Sequence, residues 1–460
     1  MSDATQSLSL DRAPADFAPA EAMLFLVLQG DELQAPSLRI RLGGLTSLAI
    51  GRGEAQETRE DGASLRLSLP DAKVSTTHCA LVPSAEGLRL EDKSSKNGSF
   101  VNGREVKSAL LADGDVIELG RTFLVYRQRC SARTGEPRVV RASSDAAALG
   151  LTSLVPALAV ELQKLRDVSR SSVPVIVHGE TGTGKELIAA GVHAHSGRSG
   201  PFVAVNCGSL QPDLLAAELF GHKKGAFSGA VEERPGLVRA ADRGTLFLDE
   251  IADLPPAGQS ALLRVLQEGE VLPLGSTKPI KVDVRIVAAT HRDLEQLVAK
   301  ELFRADLLAR LQGFTLRLPP LRERLTDLGL LVAGILRRRL PDQFQRVRLG
   351  NLATRALLAS AWPLNVRELE KALLAAVALS KDGSVELFAL PSSVREPPAP
   401  RDQLGKSPDL EEKLRALLLK HQGNVTAVAA ELGKDRVQIR RWMKKLGMDA
   451  QAFRDDPEPT

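Results

Sequence analysis

The sequence predicts a multidomain protein in which an all-β sandwich, an α/β domain built around a phosphate-binding loop, and an all-α helix-turn-helix module follow one another. Short strand-like runs separated by Gly, Asn, Asp and Pro occupy residues 23–126. Strand-like and helical patterns then alternate around a glycine loop at residues 179–185, which is typical of a parallel sheet. Two short helical patterns joined by a glycine turn lie near the end of the chain. A length of 460 residues fits about three domains.

The composition indicates ordinary hydrophobicity with few aromatic side chains. Hydrophobic residues make up 43% of the chain, which contains one Tyr, two Trp and thirteen Phe. No apolar run approaches ~18 residues, and the start lacks a basic region followed by an apolar one. We therefore expect a cytoplasmic protein without membrane contact. Cys79, Cys130 and Cys207 are odd in number and lack metal-ligand spacing, which fits free thiols in a reducing compartment.

The excess of basic charge lies near the C-terminus. The whole chain has a net charge of +4, and residues 409–447 contain nine Lys or Arg and five Asp or Glu. The remainder of the chain is therefore neutral overall. A nucleic-acid-binding surface is expected in this last segment.

Residues 1–20 are rich in Ala, Ser, Asp and Pro without periodicity, and are predicted to be a disordered lead. The strand-like runs that follow alternate with turn residues and contain no helical pattern, which predicts the sandwich. These runs are residues 23–28, 38–42, 45–50, 80–82, 88–90, 99–101, 115–119 and 122–126.

Three motifs lie in this region, at residues 50–53, 74–79 and 92–103. They resemble the signatures of the forkhead-associated (FHA) domain, which we expect to span residues 21–130. The resemblance implies binding of a phosphothreonine protein or peptide: Arg52 and Ser75 would bind the phosphate, Asn97 would hold the peptide backbone, and His78 would brace the loops. A phosphate with about −1.5 to −2 charges needs a guanidinium and hydroxyls rather than one ion pair. Alone, Asn97-Gly98 would indicate a hairpin turn, and a sandwich without phosphopeptide binding is the alternative.

Residues 131–148 are predicted to be a linker, and residues 149–168 have helical spacing. The loop that follows has the spacing Gly-x-x-x-x-Gly-Lys after an apolar β-branched run and before a helical pattern. Its backbone N–H groups, the helix start and the lysine would bind phosphate groups. A Glu stands where most such loops have Ser or Thr, so another carboxylate must hold magnesium. The loop residues are Gly179, Glu180, Thr181, Gly182, Thr183, Gly184, Lys185 and Glu186.

Further strands are predicted at residues 201–206, 245–248, 282–290 and 314–318. Ligand groups of a parallel sheet gather at the carboxyl ends of its strands. Asp249 is placed there to hold Mg²⁺, and Glu250 to orient an attacking water. A solvated helix start is the alternative for this acidic pair.

Five motifs in order resemble the AAA+ domain of sigma-54-dependent transcriptional activators. They lie at residues 179–186, 218–230, 244–250, 303–311 and 362–370. The resemblance covers residues 149–390, and we divide it into an α/β ATPase at 149–320 and a helical lid at 321–390. It implies ATP and Mg²⁺ as cofactors, a ring of six or seven subunits, and remodelling of sigma-54 RNA polymerase.

The same resemblance assigns further roles. Asn206 would pair with Glu250 as a switch, and Thr290 and His291 would sense the γ-phosphate. Arg304 and Arg310 would reach a neighbouring subunit's site as arginine fingers, because phosphoryl transfer needs positive charge on the equatorial oxygens. In the lid, Arg367 would sense the nucleotide.

A glycine-bracketed loop is expected to present one aromatic side chain to sigma-54. In the alternative, its Phe folds back into the core. The loop consists of Gly225, Ala226, Phe227, Ser228, Gly229 and Ala230. Three residues depart from the family's usual pattern: Ser228 replaces Thr, Leu364 replaces Gly, and His291 replaces an often-seen Asn.

Residues 391–408 form a proline-rich linker, residues 409–450 a predicted helix-turn-helix, and residues 451–460 a tail. Helices are expected at 410–420, 425–432 and 435–446, with the last lying in the major groove. The module resembles the Fis-type domain that ends many such activators. Candidates for base contacts are Arg436, Gln438 and Arg440. Candidates for phosphate contacts are Arg441, Lys444 and Lys445. A basic helix that is merely solvated is the alternative.

These features predict an ATP-driven activator that binds upstream enhancer sites on double-stranded DNA and opens sigma-54 promoters. Phosphopeptide binding at the FHA domain would be its input. One alternative is a DNA-binding regulator that does not remodel polymerase, favoured by Ser228. Another is a phosphopeptide adaptor whose ATPase only drives oligomerisation. The presence of Asp249, Glu250, Arg304 and Arg310 argues against both.

Overall fold

The computed structural model describes residues 17–143, 149–208, 212–226, 230–380 and 382–395, together with residues 414–415, 417–431, 439, 442–443, 448 and 453. The chain divides into two compact units, residues 1–395 and 396–460. The predicted disordered lead lies outside the described residues up to residue 16. Its last residues are attached to the first domain, because the Ala18 amide donates to the Ala132 carbonyl at 2.9 Å.

The first domain is a two-sheet sandwich, as the sequence predicts. Its strands are β1 (Glu21–Gln29), β2 (Ser37–Arg41), β3 (Ser47–Arg52), β4 (Glu57–Asp61), β5 (Ser64–Leu69), β6 (Cys79–Ser84), β7 (Gly87–Asp92), β8 (Ser99–Val101), β9 (Arg104–Val106), β10 (Ser108–Leu110), β11 (Val116–Leu119), β12 (Thr122–Cys130) and β13 (Val139–Ala142). One sheet has the order β13-β2-β1-β12-β11-β8-β9, and the other β10-β7-β6-β3-β5-β4. The pattern missed β9 and β10, which have three residues each, β4, which is mostly charged, and β5, whose alternating Leu65, Leu67 and Leu69 did carry a strand signal.

The predicted linker at residues 131–148 is wrong in part. Its residues Val139–Ala142 form β13, which pairs antiparallel with β2 at the edge of the larger sheet. Two consecutive β-branched residues, Val139 and Val140, favour this strand. The sandwich therefore extends to residue 142, and residues 144–148 lie outside the described residues.

Strand β1 is buried on both faces. Leu24 and Leu26 point into the sandwich core, where they pack with Leu38 and Ile40. The alternate residues, among them Phe25, belong to a second core that continues into the C-terminal part of the same unit. Successive side chains of a strand point to opposite faces, so one strand serves both cores.

The second domain has a parallel five-stranded sheet of order β15-β16-β19-β14-β20. Its strands are β14 (Val175–His178), β15 (Phe202–Asn206), β16 (Thr245–Asp249), β19 (Arg285–Thr290) and β20 (Phe314–Arg317). A two-stranded ribbon consists of β17 (Glu270–Val271) and β18 (Ile280–Lys281). The helices are α1 (Pro156–Ser169), α2 (Lys185–His195), α3 (Pro212–Phe220), α4 (Leu237–Ala240), α5 (Pro256–Glu268), α6 (Leu294–Ala299) and α7 (Ala305–Leu311), with a 3-10 turn at Ile251–Asp253.

The helix expected from residue 149 begins only at Pro156. Proline fits the first helical position because it has no N–H to leave unpaired there. Residues 149–155 precede it in a non-helical conformation, although Leu151 and Leu154 are buried. The apolar residues whose spacing resembles that of a helix are thus core residues of a non-helical segment.

A helical lid follows the sheet. It consists of α8 (Leu328–Arg339), α9 (Asn351–Ala359), α10 (Asn365–Leu379) and α11 (Ser392–Arg395), with the small parallel pair β21 (Arg348–Leu349) and β22 (Ser384–Val385). Turns of 3-10 helix lie at Leu321–Glu323, Leu325–Asp327, Phe344–Arg346 and Leu387–Ala389. Val394 of α11 is buried in the lid core. The predicted boundary at residue 390 is therefore too early, and the lid extends to Arg395.

The sandwich and the lid are in direct contact. Helix α8 lies on β1 so closely that a Cβ atom on Gly329 would stand 1.7 Å from the Val27 carbonyl oxygen. The shared core contains Phe25 and Phe123 from the sandwich together with Leu328 and Ile335 from α8. The two domains therefore share one buried apolar interior.

The C-terminal unit has its own small core. Leu414, Leu418, Val428, Ile439 and Trp442 are buried in it. Helix α12 (Val425–Glu431) begins after Asn424, whose side-chain oxygen accepts from the amides of residues 426 and 427 at 3.1 and 3.3 Å. The predicted break at Gly423 is found, since that residue has φ of +73°. Of the tail, only residue 453 is described.

Among the described residues, no helix is long and apolar enough to cross a membrane. The three cysteines are free thiols, with Cys79 and Cys207 buried and Cys130 half-buried. Burial raises the pKa of Cys79 and Cys207 to about 12, with Asp92 adding to the effect on Cys79 and Asp249 to that on Cys207. Both thiols are therefore protonated core residues.

We predict that Gly329→Ala destabilises the protein, because the added methyl group meets the Val27 backbone rather than a movable side chain. Overpacking of this kind costs about 1–3 kcal/mol. Urea unfolding monitored by circular dichroism measures the loss. The matched control is Gly258→Ala in α5, where the new Cβ meets the flexible side chain of Leu254 at 2.9 Å. Equal stabilities of the two variants would contradict the tight contact.

Candidate functional site

The glycine loop joins β14 to α2 in the geometry of a phosphate-binding loop. Gly182 and Gly184 have φ of +79° and +102°, which favour glycine. A Cβ atom on Gly182 would also stand 2.3 Å from the Leu364 carbonyl oxygen of the lid. Helix α2 begins at Lys185, so its free N–H groups face the loop. The loop can therefore bind an anion through backbone amides.

A cavity of about 350 Å³ opens beside this loop, between the sheet and the lid. Eight predicted residues line it: Thr181, Gly182, Gly184, Lys185, Glu186, Asp249, Glu250 and Arg367. The lining also includes residues that the sequence analysis missed: Leu187, Ala190, Phe202, Arg338, Arg339, Val366 and Glu370. The three consecutive arginines at the end of α8 were the sequence signal from which Arg338 and Arg339 could have been identified.

Lys185 is buried at 6% exposure and lies at the centre of the site. Its Nζ donates to the Gly179 carbonyl at 2.9 Å and lies 3.5 Å from Glu250 Oε1. A buried ammonium group held by the loop's own carbonyls is preorganised to meet phosphate oxygens.

The carboxyl ends of neighbouring strands bring the polar residues together. Asp249 ends β16 and is the register partner of Asn206 at the end of β15. Thr290 ends β19 as the register partner of His178 at the end of β14. Its side chain is buried, and its Oγ1 accepts from the Arg292 amide at 3.0 Å. The predicted meeting of these groups at one sheet edge is present in the structure.

Glu250 has the left-handed φ of +49° directly after β16. One carboxylate oxygen accepts from His291 Nδ1 at 2.8 Å, and the other lies 3.5 Å from Lys185 Nζ. The oxygen of Asn206 accepts from the Gly208 amide at 2.9 Å. The proposed switch between Asn206 and Glu250 stays a prediction, while the contact with His291 adds a partner that the sequence analysis did not foresee.

Asp249 is suited to a cation partner. Burial raises its pKa, the positive charge of Lys185 opposes that rise, and the neighbouring Glu250 adds to it. Among the described residues, no group of three or more His, Cys, Asp or Glu could hold a metal ion. A magnesium ion held by Asp249 would take its remaining ligands from phosphate oxygens and water, as magnesium commonly does beside nucleotides.

The lid is bonded to the phosphate-binding loop. Glu180 accepts two hydrogen bonds from Arg322, at 2.7 and 2.9 Å, and one from Asn365 at 3.1 Å. These bonds lower the pKa of Glu180 to about 2. The buried Arg324 donates to the Thr183 carbonyl at 2.7 Å, and the Arg367 amide donates to the Gly182 carbonyl at 3.1 Å. The loop and the lid are therefore joined by both side-chain and backbone hydrogen bonds.

Leu364 stands where the resemblance leads one to expect Gly. Its φ is −103°, which any residue adopts. The left-handed positions of this turn are Trp362 and Asn365, with φ of +50° and +57°. Replacement of the usual glycine by leucine therefore causes no backbone strain at this position.

Arg304 directly precedes α7, and Arg310 lies on the exposed side of this helix. Leu307 and Leu311 are buried on its other side, and both arginines are exposed. Arg304 is bonded to Asp306 at 2.7 and 3.0 Å. Neither arginine is among the described residues that line the cavity of its own chain. Their action on a neighbouring subunit stays a prediction.

The loop expected to contact sigma-54 is closed at its base. The Gly225 amide donates to the Ala230 carbonyl at 2.8 Å, and Gly225 has φ of +82°. Ala230 is buried, whereas Val231 next to it is 72% exposed. Phe227, Ser228 and Gly229 lie outside the described residues, as do the six predicted DNA contacts Arg436, Gln438, Arg440, Arg441, Lys444 and Lys445.

Three loops meet at one end of the sandwich, and they carry the predicted phosphopeptide residues. Arg52, exposed at the end of β3, donates its amide to the Ser75 carbonyl at 2.9 Å. Ser75 Oγ accepts from the Lys96 amide at 3.0 Å. The side chain of Asn97 donates to the Lys73 carbonyl at 2.6 Å. The three loops are therefore held in one surface.

His78 braces these loops as predicted. It is fully buried, its Nδ1 accepts from the Ser75 amide at 3.0 Å, and its Nε2 lies 3.1 Å from the Gly98 carbonyl oxygen. Because Nδ1 accepts from an N–H group, the proton of the neutral ring belongs on Nε2. One imidazole thereby links two loops.

Ser99 keeps the hydroxyl that the motif requires. Its Oγ donates to Asp92 at 2.8 Å. Burial alone would raise the pKa of Asp92, but hydrogen bonds from Ser95 and Ser99 lower it to about 2. Asp92 is therefore a charged anchor that fixes the start of the loop carrying Asn97.

Family models match three parts of the chain: a sigma-54 interaction domain at residues 152–317, an FHA domain at 48–120, and an AAA+ ATPase lid domain at 322–407. The predicted sandwich and the α/β domain with its helical lid are thus confirmed as FHA and AAA+ folds. The match and the buried Val394 agree that the lid continues beyond residue 390.

Two relatives illustrate the similarity. The acetoin catabolism regulatory protein of Cupriavidus necator is 40% identical over 393 residues, which is 81% of this chain and 57% of that protein. The chain thus spans less than two thirds of that relative. The response regulator protein PilR of Pseudomonas aeruginosa is 41% identical over 345 residues, 72% of this chain and 76% of the relative.

Among solved structures, NtrX from Brucella abortus in complex with ADP is 31% identical in sequence to this chain. The match covers 66% of this chain and 71% of NtrX, with a TM-score of 0.47.

Proposed function

The chain belongs to the sigma-54-dependent transcriptional regulators, and from that premise we propose that it hydrolyses ATP to remodel sigma-54 RNA polymerase at promoters. The observation that carries the proposal is the convergence of Lys185, Asp249 and Glu250 on one cavity under the lid. A buried ammonium, a metal-binding carboxylate and a second carboxylate are the groups that phosphoryl transfer to water requires.

Each group has a separate role in this chemistry. The loop amides and Lys185 bind the β- and γ-phosphates and neutralise their charge. Asp249 holds Mg²⁺, which when bound supplies positive charge to the phosphate oxygens. Glu250 orients the attacking water and accepts its proton once its carboxylate leaves His291 and Lys185. Thr290 and His291, at the adjoining strand end, sense the γ-phosphate.

The active site is completed by a second copy of the chain. Arg304 and Arg310 face away from the cavity of their own chain, and exposed guanidinium groups can reach a neighbour's phosphates. An arginine supplied by a neighbour stabilises the charge of the transition state and makes hydrolysis depend on assembly. A ring of six or seven subunits supplies one such contact for each site.

Hydrolysis drives the loop of residues 225–230 against sigma-54. The hydrogen bond between Gly225 and Ala230 supports this role, since it holds the two ends of the loop together. The C-terminal unit binds double-stranded DNA at enhancer sites through its basic last segment, residues 434–445. The apolar core of that unit supports a folded module of the size of a helix-turn-helix.

The FHA domain binds a phosphothreonine protein or peptide as the regulatory input. Arg52 and Ser75 contact the phosphate, and Asn97 holds the peptide backbone. The support is the fixed arrangement of the three loops by His78 and Asp92, because preorganised donors cost little to order on binding.

Lys185→Ala should abolish ATP hydrolysis, with a loss of at least about 100-fold, because the phosphates lose their buried positive partner. Phosphate release in a steady-state assay measures this. Lys164→Ala, at an exposed lysine of α1, is the control that should keep the wild-type rate. Unchanged turnover of Lys185→Ala would contradict the assignment of the loop.

Phe227→Ala should keep ATP hydrolysis yet fail to open a promoter. Purified protein, ATP and sigma-54 polymerase are mixed with promoter DNA, and strand opening is read by permanganate footprinting. The wild type should open the promoter and Lys185→Ala should not. Failure of the wild type would favour a DNA-binding regulator without remodelling activity, and opening by Phe227→Ala would exclude the contact role.

Arg52→Ala should weaken binding of a phosphothreonine peptide library by about ten- to a hundred-fold, the value of a lost hydrogen bond to a charged group. Fluorescence polarisation against the matched unphosphorylated library measures the difference. Arg104→Ala, an exposed arginine on β9 outside the three loops, should bind as the wild type does. Equal binding by Arg52→Ala would refute the phosphate site.

A further inference from the structure

The face of the FHA sheet that bears β1 and β12 is an interaction surface, and the lid occupies it. Phe25 and Phe123 of the sheet lie in one core with Leu328 and Ile335 of α8. The backbone continues the contact, because the Leu349 amide of β21 donates to the Gly30 carbonyl at 2.9 Å. A Cβ atom on Gly30 would stand 2.5 Å from the Leu349 carbonyl oxygen.

A charged cluster secures the edge of this surface. Glu118 of β11 is buried, with 4% of its side chain exposed, and accepts from Arg355 Nε at 2.6 Å and from Asn351 Nδ2 at 2.5 Å. Asn351 also donates to the Gly120 carbonyl at 2.8 Å. The Arg355 guanidinium lies 5.6 Å from the centre of the Phe100 ring. Two lid residues thus supply the partners of a buried FHA carboxylate.

The hairpin formed by β11 and β12, which carries Glu118 and Gly120, is also bonded to the predicted phosphopeptide loops. Asp71, which precedes Ser75 in its loop, accepts from the Arg121 amide at 2.7 Å and from Thr122 Oγ1 at 3.1 Å. It also accepts from the Lys73 amide at 2.8 Å. The Lys73 carbonyl in turn accepts from Asn97. The turn between β11 and β12 therefore touches the lid on one side and the recognition loops on the other.

The lid elements under this surface reach the nucleotide cavity. Helix α8 meets β1 through Gly329 and contributes Arg338 and Arg339 to the cavity at its other end. Arg339 pairs with Glu370 of α10 at 2.7 Å, and Arg367 of the same helix is bonded to the phosphate-binding loop. One helix thus contacts the FHA domain and the nucleotide site.

The FHA domain has a second anchor outside the lid. The buried Arg39 of β2 donates to the Leu154 carbonyl at 2.6 Å, in the segment that leads into α1 of the α/β domain. Asp327 at the start of the lid accepts from Ser153 and from the Leu154 amide, both at 2.6 Å. The FHA domain therefore contacts both the lid and the segment that leads into the α/β domain.

We propose that this surface couples the two ligand sites, so that occupancy of the nucleotide cavity and occupancy of the phosphopeptide loops alter each other's affinity. The phosphopeptide half of this proposal rests on the proposed function of the FHA domain. Coupling requires that the lid angle differ between nucleotide states, and by linkage it is reciprocal, typically 5- to 150-fold in affinity. Arg355 and Asn351 are the positioning residues that carry it.

Hydrogen exchange of the full-length protein, with and without ATPγS, tests the coupling without a phosphopeptide. Amides of residues 180–186 report nucleotide binding, and those of residues 71–78 and 118–122 report its effect on the FHA domain. We expect slower exchange in all three segments, by about five-fold or more in the two FHA segments. Protection of residues 180–186 alone would overturn the coupling. Absence of protection everywhere would overturn both the coupling and the proposed ATP binding.

Arg355→Ala should keep protection at residues 180–186 and lose it at residues 71–78 and 118–122. Arg346→Ala, an exposed arginine elsewhere on the lid, should behave as the wild type. Asn351→Ala, which removes the amide donor but leaves the Arg355–Glu118 pair, provides a milder variant whose protection should be intermediate. Wild-type protection in both Arg355→Ala and Asn351→Ala would overturn the route. Failure of the FHA domain to bind phosphothreonine would leave the exchange result intact, and would refute only the proposed regulatory ligand.

Discussion

The double burial of β1 determines how this protein is assembled. Its even-numbered side chains, Leu24 and Leu26, close the FHA sandwich, and Phe25 between them belongs to the core of the lid. Apolar burial contributes about 25 cal/mol per Å², so a strand with both faces covered stabilises two domains at once. The FHA domain and the AAA+ lid consequently share an interior instead of being joined by a flexible tether.

The nucleotide site shows the same dependence on contacts between domains. The phosphate-binding loop belongs to the α/β domain, but Arg322, Arg324 and Asn365 of the lid hold it from outside. Loop conformation and lid position are thus parts of one hydrogen-bonded structure. In this arrangement, the phosphate-binding loop contacts the lid, and the lid contacts the FHA domain.

Sequence patterns predicted best those elements whose signal is local. The strand ending in Asp249, the glycine loop and the motifs around Arg52, Ser75 and His78 were all placed correctly, because spacing along the chain fixes backbone geometry there. Prediction failed where long-range contacts decide. Residues 139–142 were assigned to a linker because β13 is stabilised by pairing with β2, a distant strand. The helix expected from residue 149 starts seven residues later, because Leu151 and Leu154 are buried core residues of a non-helical segment.

The sequence by itself determined the FHA sandwich, the AAA+ domain with its lid, the position of the phosphate-binding loop and the carboxylates beside it. These properties follow from residue types at short, fixed separations. Only the tertiary structure decided that Glu250 contacts His291, that Arg338 and Arg339 line the cavity, and that Glu118 is paired with Arg355 of the lid. The apolar run of residues 23–28 was predicted only as a strand of the sandwich, and a single sequence does not identify the second surface that covers it. Such partners are separated by tens to hundreds of residues, and packing alone brings them together.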